Sequence, residues 1–158
     1  MKVEIELNIN TEKEIDCPSV ETMEKWASCA LKTAGYAKDS QISVTMVDAD
    51  EIRRLNRTYR QIDTPTNILS FPFEQPEGIP ELPLLGDLII CVDVLKREAE
   101  EQKITIDEHF AHLIVHGCLH LLGYDHIEEQ DQIVMEKYEI QTVEALGYEN
   151  PYRNDYQN

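Results

Sequence analysis

Apolar and polar residues alternate in two short stretches of the chain, and these stretches predict its first strands. The alternating apolar positions are Val3, Ile5 and Leu7 in one stretch and Ile42, Val44 and Met46 in the other. Because successive side chains of a strand point to opposite faces of a sheet, this period of two predicts two half-buried strands. Residues 88–92 are apolar throughout, which predicts a third strand covered on both faces.

Apolar residues recur at helical spacing between these strands and after them. The pattern predicts helices over residues 20–34, 51–59 and 127–146, a charged helix that ends near Gln102, and a helix that opens at Thr105. Capping and stop signals support these bounds: Ser19, Asp48 with Glu51, and Thr105 with Glu108 at helix starts, and Gly35 and Gly147 at helix ends.

A long proline-rich segment interrupts this alternation of strands and helices. Residues 61–83 contain five prolines, and only residues 67–71 among them have an extended pattern. Long loops in compact domains are often functional. The chain has no internal repeat and no sign of a domain boundary. We therefore expect one domain over residues 1–158, of α/β or α+β class, in which helices pack on a mixed sheet of about four strands.

The charge balance argues against a nucleic-acid partner for most of the surface. The chain has 31 acidic and 14 basic residues, a formal net charge of −17, whereas phosphate binding relies on basic surface. Acidic runs over 98–101 and 128–136 are expected to be solvated helix faces. Four arginines nevertheless fall together, so a local basic patch remains available to a polyanion; they are Arg53, Arg54, Arg57 and Arg60.

The cysteines and the apolar runs indicate the compartment. The four cysteines form no C-x-x-C pair, so neither a disulfide framework nor a cysteine zinc site is predicted. The first residues alternate charge with apolar side chains, unlike a signal peptide, and no apolar run approaches the roughly 18 residues of a membrane span. The expectation is a soluble protein of the reducing cytoplasm.

Three histidines within eleven residues carry the clearest chemical signal. His116 and His120 are four residues apart, so on a helix their rings lie on one face. Gly123 provides a stop after which the chain can turn and bring His126 to the same point. Three imidazoles suit zinc best, although nickel, copper and iron also accept nitrogen ligands, and three ligands with an open position mark a catalytic rather than a structural site. We expect the helix that carries His116 and His120 to be the central, buried helix of the fold. The alternative to a metal site is that its histidines merely pack or form hydrogen bonds.

The spacing of these ligands is close to that of the metzincin metalloproteases, with one difference. In those enzymes a glutamate follows the first histidine and acts as general base, whereas Gly117 stands there in this chain. Asp125, beside the third histidine, is the nearest replacement, and its candidate roles are general base, hydrogen-bond acceptor for a ligand, or turn cap. We expect His112 to be a packed core residue, with support of a metal ligand or an acid–base role as the alternative, and His109 to lie on the surface.

The same residues resemble those of a known family. Residues 116–126, HGCLHLLGYDH, resemble the H-G-x-L-H-L-x-G-Y-D-H signature of the YbeY family of endoribonucleases, also called rRNA maturation factors. Residues 55–60, LNRTYR, and 65–72, PTNILSFP, are similar to its L-N-x-x-Y-R and P-T-D-V-L-S-F-P segments, and 85–88 and 146–152 to its L-G-D-I and closing L-G-x-x-x-P-Y. Asn67 departs from the pattern, since many members have aspartate there.

The resemblance implies a zinc-dependent endoribonuclease that cuts single-stranded RNA, in maturation of the small-subunit ribosomal RNA 3′ end and in ribosome quality control. By position, His116, His120 and His126 would hold one Zn²⁺ and Arg60 would meet the RNA. The expected partners are single-stranded or ribosomal RNA and ribosomal or ribosome-associated proteins, with no membrane and no DNA. For Arg60 the structural alternative is an ion pair with Asp63 or Asp87. For the whole chain the alternatives are a peptidase-like hydrolase and a non-catalytic assembly factor stabilised by zinc.

Overall fold

The structure is a computed structural model that describes residues 1–124 and 129–153. These residues form four strands and five helices. The strands are β1 (Val3–Asn10), β2 (Ser40–Val47), β3 (Ile68–Pro72) and β4 (Leu84–Cys91). The helices are α1 (Val20–Thr33), α2 (Ala49–Arg60), α3 (Val92–Gln102), α4 (Ile106–Leu121) and α5 (Glu129–Ala145). The predicted α+β class is confirmed.

The strands form one mixed sheet in the order β1-β2-β4-β3. β1 and β4 run parallel to β2 on its two sides, and the short strand β3 runs antiparallel to β4 at the edge. This order follows from the connections: α1 links β1 to β2 as a parallel crossover, and the proline-rich segment turns β3 back along β4. Among the described residues, β1 and β3 are therefore the two edge strands of the sheet.

Side chains of the strands alternate between two hydrophobic clusters. The larger cluster joins one face of the sheet to α1, α4 and α5, and Leu88 and Ile90 of β4 point into it. The smaller cluster lies on the opposite face, where Ile89 and Cys91 of β4 contact Leu69 of β3 and the inner side of α2. The predicted buried strand thus has both faces covered, as its apolar sequence requires.

Helix α4 lies at the centre of the larger cluster, and local signals set both of its ends. The Thr105 hydroxyl accepts a hydrogen bond from the Glu108 N–H at 3.1 Å. At the other end Gly123, with φ of +102°, allows the Gly123 and Tyr124 N–H groups to reach the carbonyls of His120 and Leu119. The predicted start and stop of this helix are confirmed.

Two predicted boundaries are corrected. Asp48 precedes α2 but makes no side-chain cap; its carboxylate instead accepts the Thr11 hydroxyl at 2.5 Å, and Glu51 pairs with Arg54. Strand β4 begins at Leu84, four residues before the predicted start at 88, because backbone pairing with β2 holds the segment despite the glycine and aspartate in it. The predicted start of the last helix lies outside the described residues.

None of the helices in residues 1–124 and 129–153 has the length and apolar content needed to span a bilayer.

Candidate functional site

Three histidine rings form a row along one face of α4. His112, His116 and His120 follow one another at intervals of about one turn, and their ring centroids are 6.2 Å and then 4.6 Å apart. The Nε2 atoms of His116 and His120 approach to 3.1 Å. The helix therefore brings together two of the three predicted ligands and directs the same ring nitrogen of each toward one point.

A buried carboxylate that sequence analysis missed supports this row. Glu139 on α5 has no exposed surface, and its two oxygens accept hydrogen bonds from three side chains of the described residues. His116 Nδ1 donates to Oε1 at 3.0 Å, while His112 Nε2 and the Tyr152 hydroxyl donate to Oε2 at 2.7 and 2.6 Å. Only the packing of α5 on α4, a tertiary contact, brings Glu139 to these rings.

The ionisation of Glu139 determines which nitrogen of His116 carries the proton. Burial alone would raise the pKa of Glu139, but the hydrogen bonds from His112 and His116 outweigh it and hold that pKa well below its ordinary range. An ionised carboxylate only accepts hydrogen bonds. His116 therefore carries its proton on Nδ1, and its Nε2, which points toward His120, is the nitrogen that has the lone pair.

The spacing of these nitrogens fits a shared metal ion. Two nitrogen ligands of one tetrahedral zinc ion, each about 2.0–2.1 Å from the metal, lie about 3.3 Å apart, close to the observed 3.1 Å. A carboxylate behind the ligating imidazole is the usual support of such sites. Within residues 1–124 and 129–153 no group of three histidine, cysteine or acidic side chains could hold a metal. The predicted third ligand, His126, and its neighbour Asp125 lie outside the described residues.

Gly117 has a steric reason to be glycine. A Cβ at this position would lie 2.7 Å from Leu88 Cδ2 and 3.0 Å from Ile68 Cδ1, so the helix touches the sheet here without a side chain between them. The position faces the sheet, not the row of histidines. A glutamate at 117 would have no room, so the peptidase arrangement that places its general base there does not fit this fold.

The prediction that His109 lies on the surface is wrong. The residue is 3 % exposed, and its Nε2 donates to Glu98 Oε1 at 2.9 Å. The same oxygen accepts the Asn67 side-chain amide at 2.9 Å. The reason is that α3 packs beside α4 and supplies a carboxylate partner, so Glu98 is not part of a solvated acidic face either. Asn67 suits this place because an aspartate would set a second carboxylate against Glu98.

Arg60 lies at the C-terminal end of α2, beside the edge strand β3. Its guanidinium donates to the Ser70 carbonyl of β3 at 3.0 Å, and its Cζ lies 5.0 Å from the centre of the Phe71 ring. Within the described residues Arg60 forms no ion pair; Asp63 is taken by Arg53 at 3.0 Å. The predicted structural alternative for Arg60, an ion pair with Asp63 or Asp87, is not observed.

The strands β3 and β4 connect the Arg60 region to the helix of histidines. Ile68, at the start of β3, points toward Gly117 on α4. At the other end of β3, Gly86 of the neighbouring strand β4 lies between the Phe71 carbonyl and a methyl group of Leu121. A side chain at position 86 would collide with both. The end of β3 that holds Arg60 therefore packs next to the turn of α4 that follows His120.

Comparisons with known proteins agree with this architecture. The protein-family model for Endoribonuclease YbeY matches residues 6–147. A curated relative named Endoribonuclease YbeY, from Stutzerimonas stutzeri (strain A1501), is 46 % identical over 151 residues, which cover 96 % of this chain and 93 % of the relative. The solution structure of TM1509 from Thermotoga maritima is similar with a TM-score of 0.59 and 24 % identity, over 98 % of this chain and 93 % of that one. The last likeness concerns the fold.

Proposed function

Because the chain belongs to the YbeY family of endoribonucleases, we propose that it is a metal-dependent endoribonuclease that cleaves single-stranded RNA. The observation that supports this most is the pair of Nε2 atoms on α4, 3.1 Å apart and backed by a buried carboxylate. Such a constellation has little value for packing alone, since it places three polar rings beside a fully buried charge.

In this proposal His116, His120 and His126 hold one zinc ion through their ring nitrogens. Bound zinc supplies Lewis-acid activation of water and of a phosphoryl oxygen. Glu139 fixes the ring of His116 in the tautomer that presents Nε2, and His112 and Tyr152 fix Glu139 in turn. Asp125 is the candidate general base, with the acceptor and turn-cap roles as alternatives, because it stands next to the third ligand in the sequence.

Arg60 is the proposed phosphate contact. A guanidinium remains charged at any relevant pH and offers two parallel N–H groups to a phosphate. Within the part of the chain that the structure describes, its contacts are the Ser70 and Tyr59 carbonyls and the Phe71 ring, not a carboxylate, so its charge is available to a ligand. An open groove along β1, β2 and β4 is lined by Glu4, Glu6 and Asp87, and these charges repel phosphate. The RNA path therefore runs by the end of α2.

The cellular role follows the family in this proposal. We place the chain, as one domain over residues 1–158, in the cytoplasm, where it would act on ribosomal RNA in 3′-end maturation of the small subunit and in ribosome quality control. Ribosomal or ribosome-associated proteins would deliver it to RNA, which suits a net charge of −17 that disfavours binding to free RNA. The competing role is a non-catalytic assembly factor in which zinc only stabilises the fold.

The test is cleavage of an end-labelled single-stranded RNA by stringently purified protein. We expect His120→Ala and Arg60→Ala to lose at least 100-fold and 10-fold of the rate, respectively, in line with the loss of a metal ligand and of a charged phosphate contact. Arg54→Ala, on the same helix but paired with Glu51, is the matched control and should cut normally. Equal cutting by all four proteins would mean a contaminating nuclease and would favour the assembly-factor role.

A further inference from the structure

A cluster of aromatic and cationic side chains at the end of α2 lies outside the histidine site. The rings of Tyr59 and Phe71 meet edge to face with centroids 5.3 Å apart, and the Arg60 guanidinium lies over the Phe71 ring. Tyr59 is 56 % exposed, a high value for a large aromatic residue within a helix. We call Tyr59, Phe71 and Arg60 the α2 platform.

The α2 platform is held in place by regular structure. Phe71 belongs to β3 and packs against the smaller hydrophobic cluster, which includes Ile52 of α2. Arg60 is anchored on the Ser70 carbonyl, and Gln61 ends the helix in a left-handed conformation that turns the chain away. The helical backbone of Tyr59 and its contact with Phe71 are therefore in place before a ligand arrives, which favours binding.

The charges around the α2 platform favour an anionic ligand. Arg53 and Arg54, earlier on the same helix, are paired with Asp63 and Glu51. Arg57 and Arg60 make no ion pair within residues 1–124 and 129–153, although acidic residues outnumber basic ones by more than two to one in the chain. Tyr59 presents an exposed ring beside Arg60, and Arg57 lies about one turn before Arg60 on the same helix. An exposed aromatic ring with arginines nearby is a combination that binds single-stranded nucleic acid.

We propose that Tyr59 forms a base-stacking subsite for single-stranded RNA, in which an unpaired base stacks on the exposed ring while Arg60 and Arg57 bind the neighbouring phosphates. This inference rests on the proposed function for its ligand. It explains how so acidic a protein selects single strands: bases in a duplex are stacked on one another and have no free face for Tyr59. The subsite adds affinity that does not depend on net charge.

Two quantities follow from this arrangement. Stacking of one base on an aromatic side chain corresponds to a change in the dissociation constant of about 5- to 150-fold. With two phosphates bound, the logarithm of the affinity should fall with the logarithm of salt concentration with a slope of about −1.4. A slope this shallow distinguishes the subsite from a broad basic surface.

The test is binding of a 2′-O-methylated single-stranded oligonucleotide that carries the fluorescent base 2-aminopurine, whose emission is quenched on stacking. The wild-type full-length chain should quench the probe, and Tyr59→Phe should behave alike. Tyr59→Leu should lose the quenching and bind about 5- to 150-fold more weakly. Ile62→Ser, which removes a neighbouring side chain of similar exposure, 52 %, is the matched control and should leave both readouts unchanged. Circular dichroism melting checks that each variant is folded.

Unchanged quenching and affinity in Tyr59→Leu would overturn the proposal, as would an equal loss in Ile62→Ser, which would mean a general apolar contact. The proposed function fails separately. If the wild type quenches the probe through Tyr59 but does not cut RNA, the subsite stands and the nuclease activity is refuted. If Tyr59→Leu cuts RNA and binds the probe as well as the wild type does, the nuclease activity stands and the subsite is refuted.

Discussion

Replacement of Glu139 by glutamine tests the support of the histidine row by exchanging a single carboxylate oxygen for an NH₂ group. The carboxylate accepts from His116 on one oxygen and from His112 and Tyr152 on the other. A glutamine amide keeps one acceptor oxygen and turns an NH₂ group to the opposite side. The orientation that preserves two hydrogen bonds places this NH₂ against His116 Nδ1, so His116 must move its proton to Nε2, where it blocks metal binding.

The size of the effect follows from these three hydrogen bonds. A hydrogen bond to a charged group contributes about 1.5–3 kcal/mol, against about 1 kcal/mol between neutral groups. Part of this loss is offset because a buried carboxylate no longer has to be desolvated, so we expect the free energy of unfolding of Glu139→Gln to fall by about 1–3 kcal/mol. Loss of a carboxylate partner behind a metal-binding histidine lowers metal affinity by about 10- to 100-fold.

Zinc affinity should be measured by competition with a fluorescent chelator, and the tautomer of His116 by ¹⁵N NMR of the metal-free protein. Glu144→Gln makes the same chemical change on an exposed position of α5 and should alter neither. Zinc binding by Glu139→Gln as tight as that of the wild type, with the His116 proton still on Nδ1, would show that Glu139 does not set the tautomer of His116.

Three further predictions concern the surrounding structure. Gly86→Ala should lower the free energy of unfolding by about 2–4 kcal/mol, because φ is +149° and the new Cβ would collide with the Phe71 carbonyl; a urea melt that matches the wild type would contradict this. Burial alone would raise the pKa of Glu98, but the hydrogen bonds from His109 and Asn67 lower it by more. The pKa of Glu98 is therefore lower in the folded protein than in the unfolded chain. Its stabilising contribution is present above the unfolded pKa of about 4.3 and is lost as pH falls through the folded pKa; Glu98→Gln should therefore lower the melting temperature at pH 7, and the difference should shrink in acid rather than persist. Burial raises the pKa of Cys118 to about 12, so mass spectrometry after iodoacetamide treatment of the native protein at pH 8 should find Cys17 alkylated and Cys118 intact.

Local signals in the sequence predicted much of the fold. The period-two stretches became β1 and β2, the serine and threonine caps were observed at α1 and α4, and the proline-rich segment contained only the short strand β3. Each of these features depends on neighbours within a few residues. The four-residue spacing of His116 and His120 likewise predicted that their rings would meet, because helix geometry alone places them on one face.

Partners that come from distant elements were not predicted. Glu139 lies 23 residues after His116 and Glu98 lies 11 residues before His109, and in both cases helix packing, not spacing, makes the contact. The residues around a glutamate in the middle of a helix look the same in the sequence whether its side chain is solvated or buried. A run of acidic residues therefore does not reveal which of its glutamates is buried. The one available hint was the position of Glu139 beside the buried residues of α5, such as Met135 and Thr142.

We propose that one metal ion, held by His116, His120 and His126, is required for RNA cleavage. The most direct measurement is a zinc titration of chelator-stripped protein, with cleavage of single-stranded RNA followed at each addition. We predict that the stripped protein does not cleave RNA, and that the cleavage rate rises linearly with added zinc to a plateau at one zinc ion per chain. The His116→Ala variant should not regain cleavage over the same range of zinc additions. Full cleavage activity in the stripped protein would contradict the requirement for metal, and equal recovery of the cleavage rate in His116→Ala would contradict the role of His116 as a ligand.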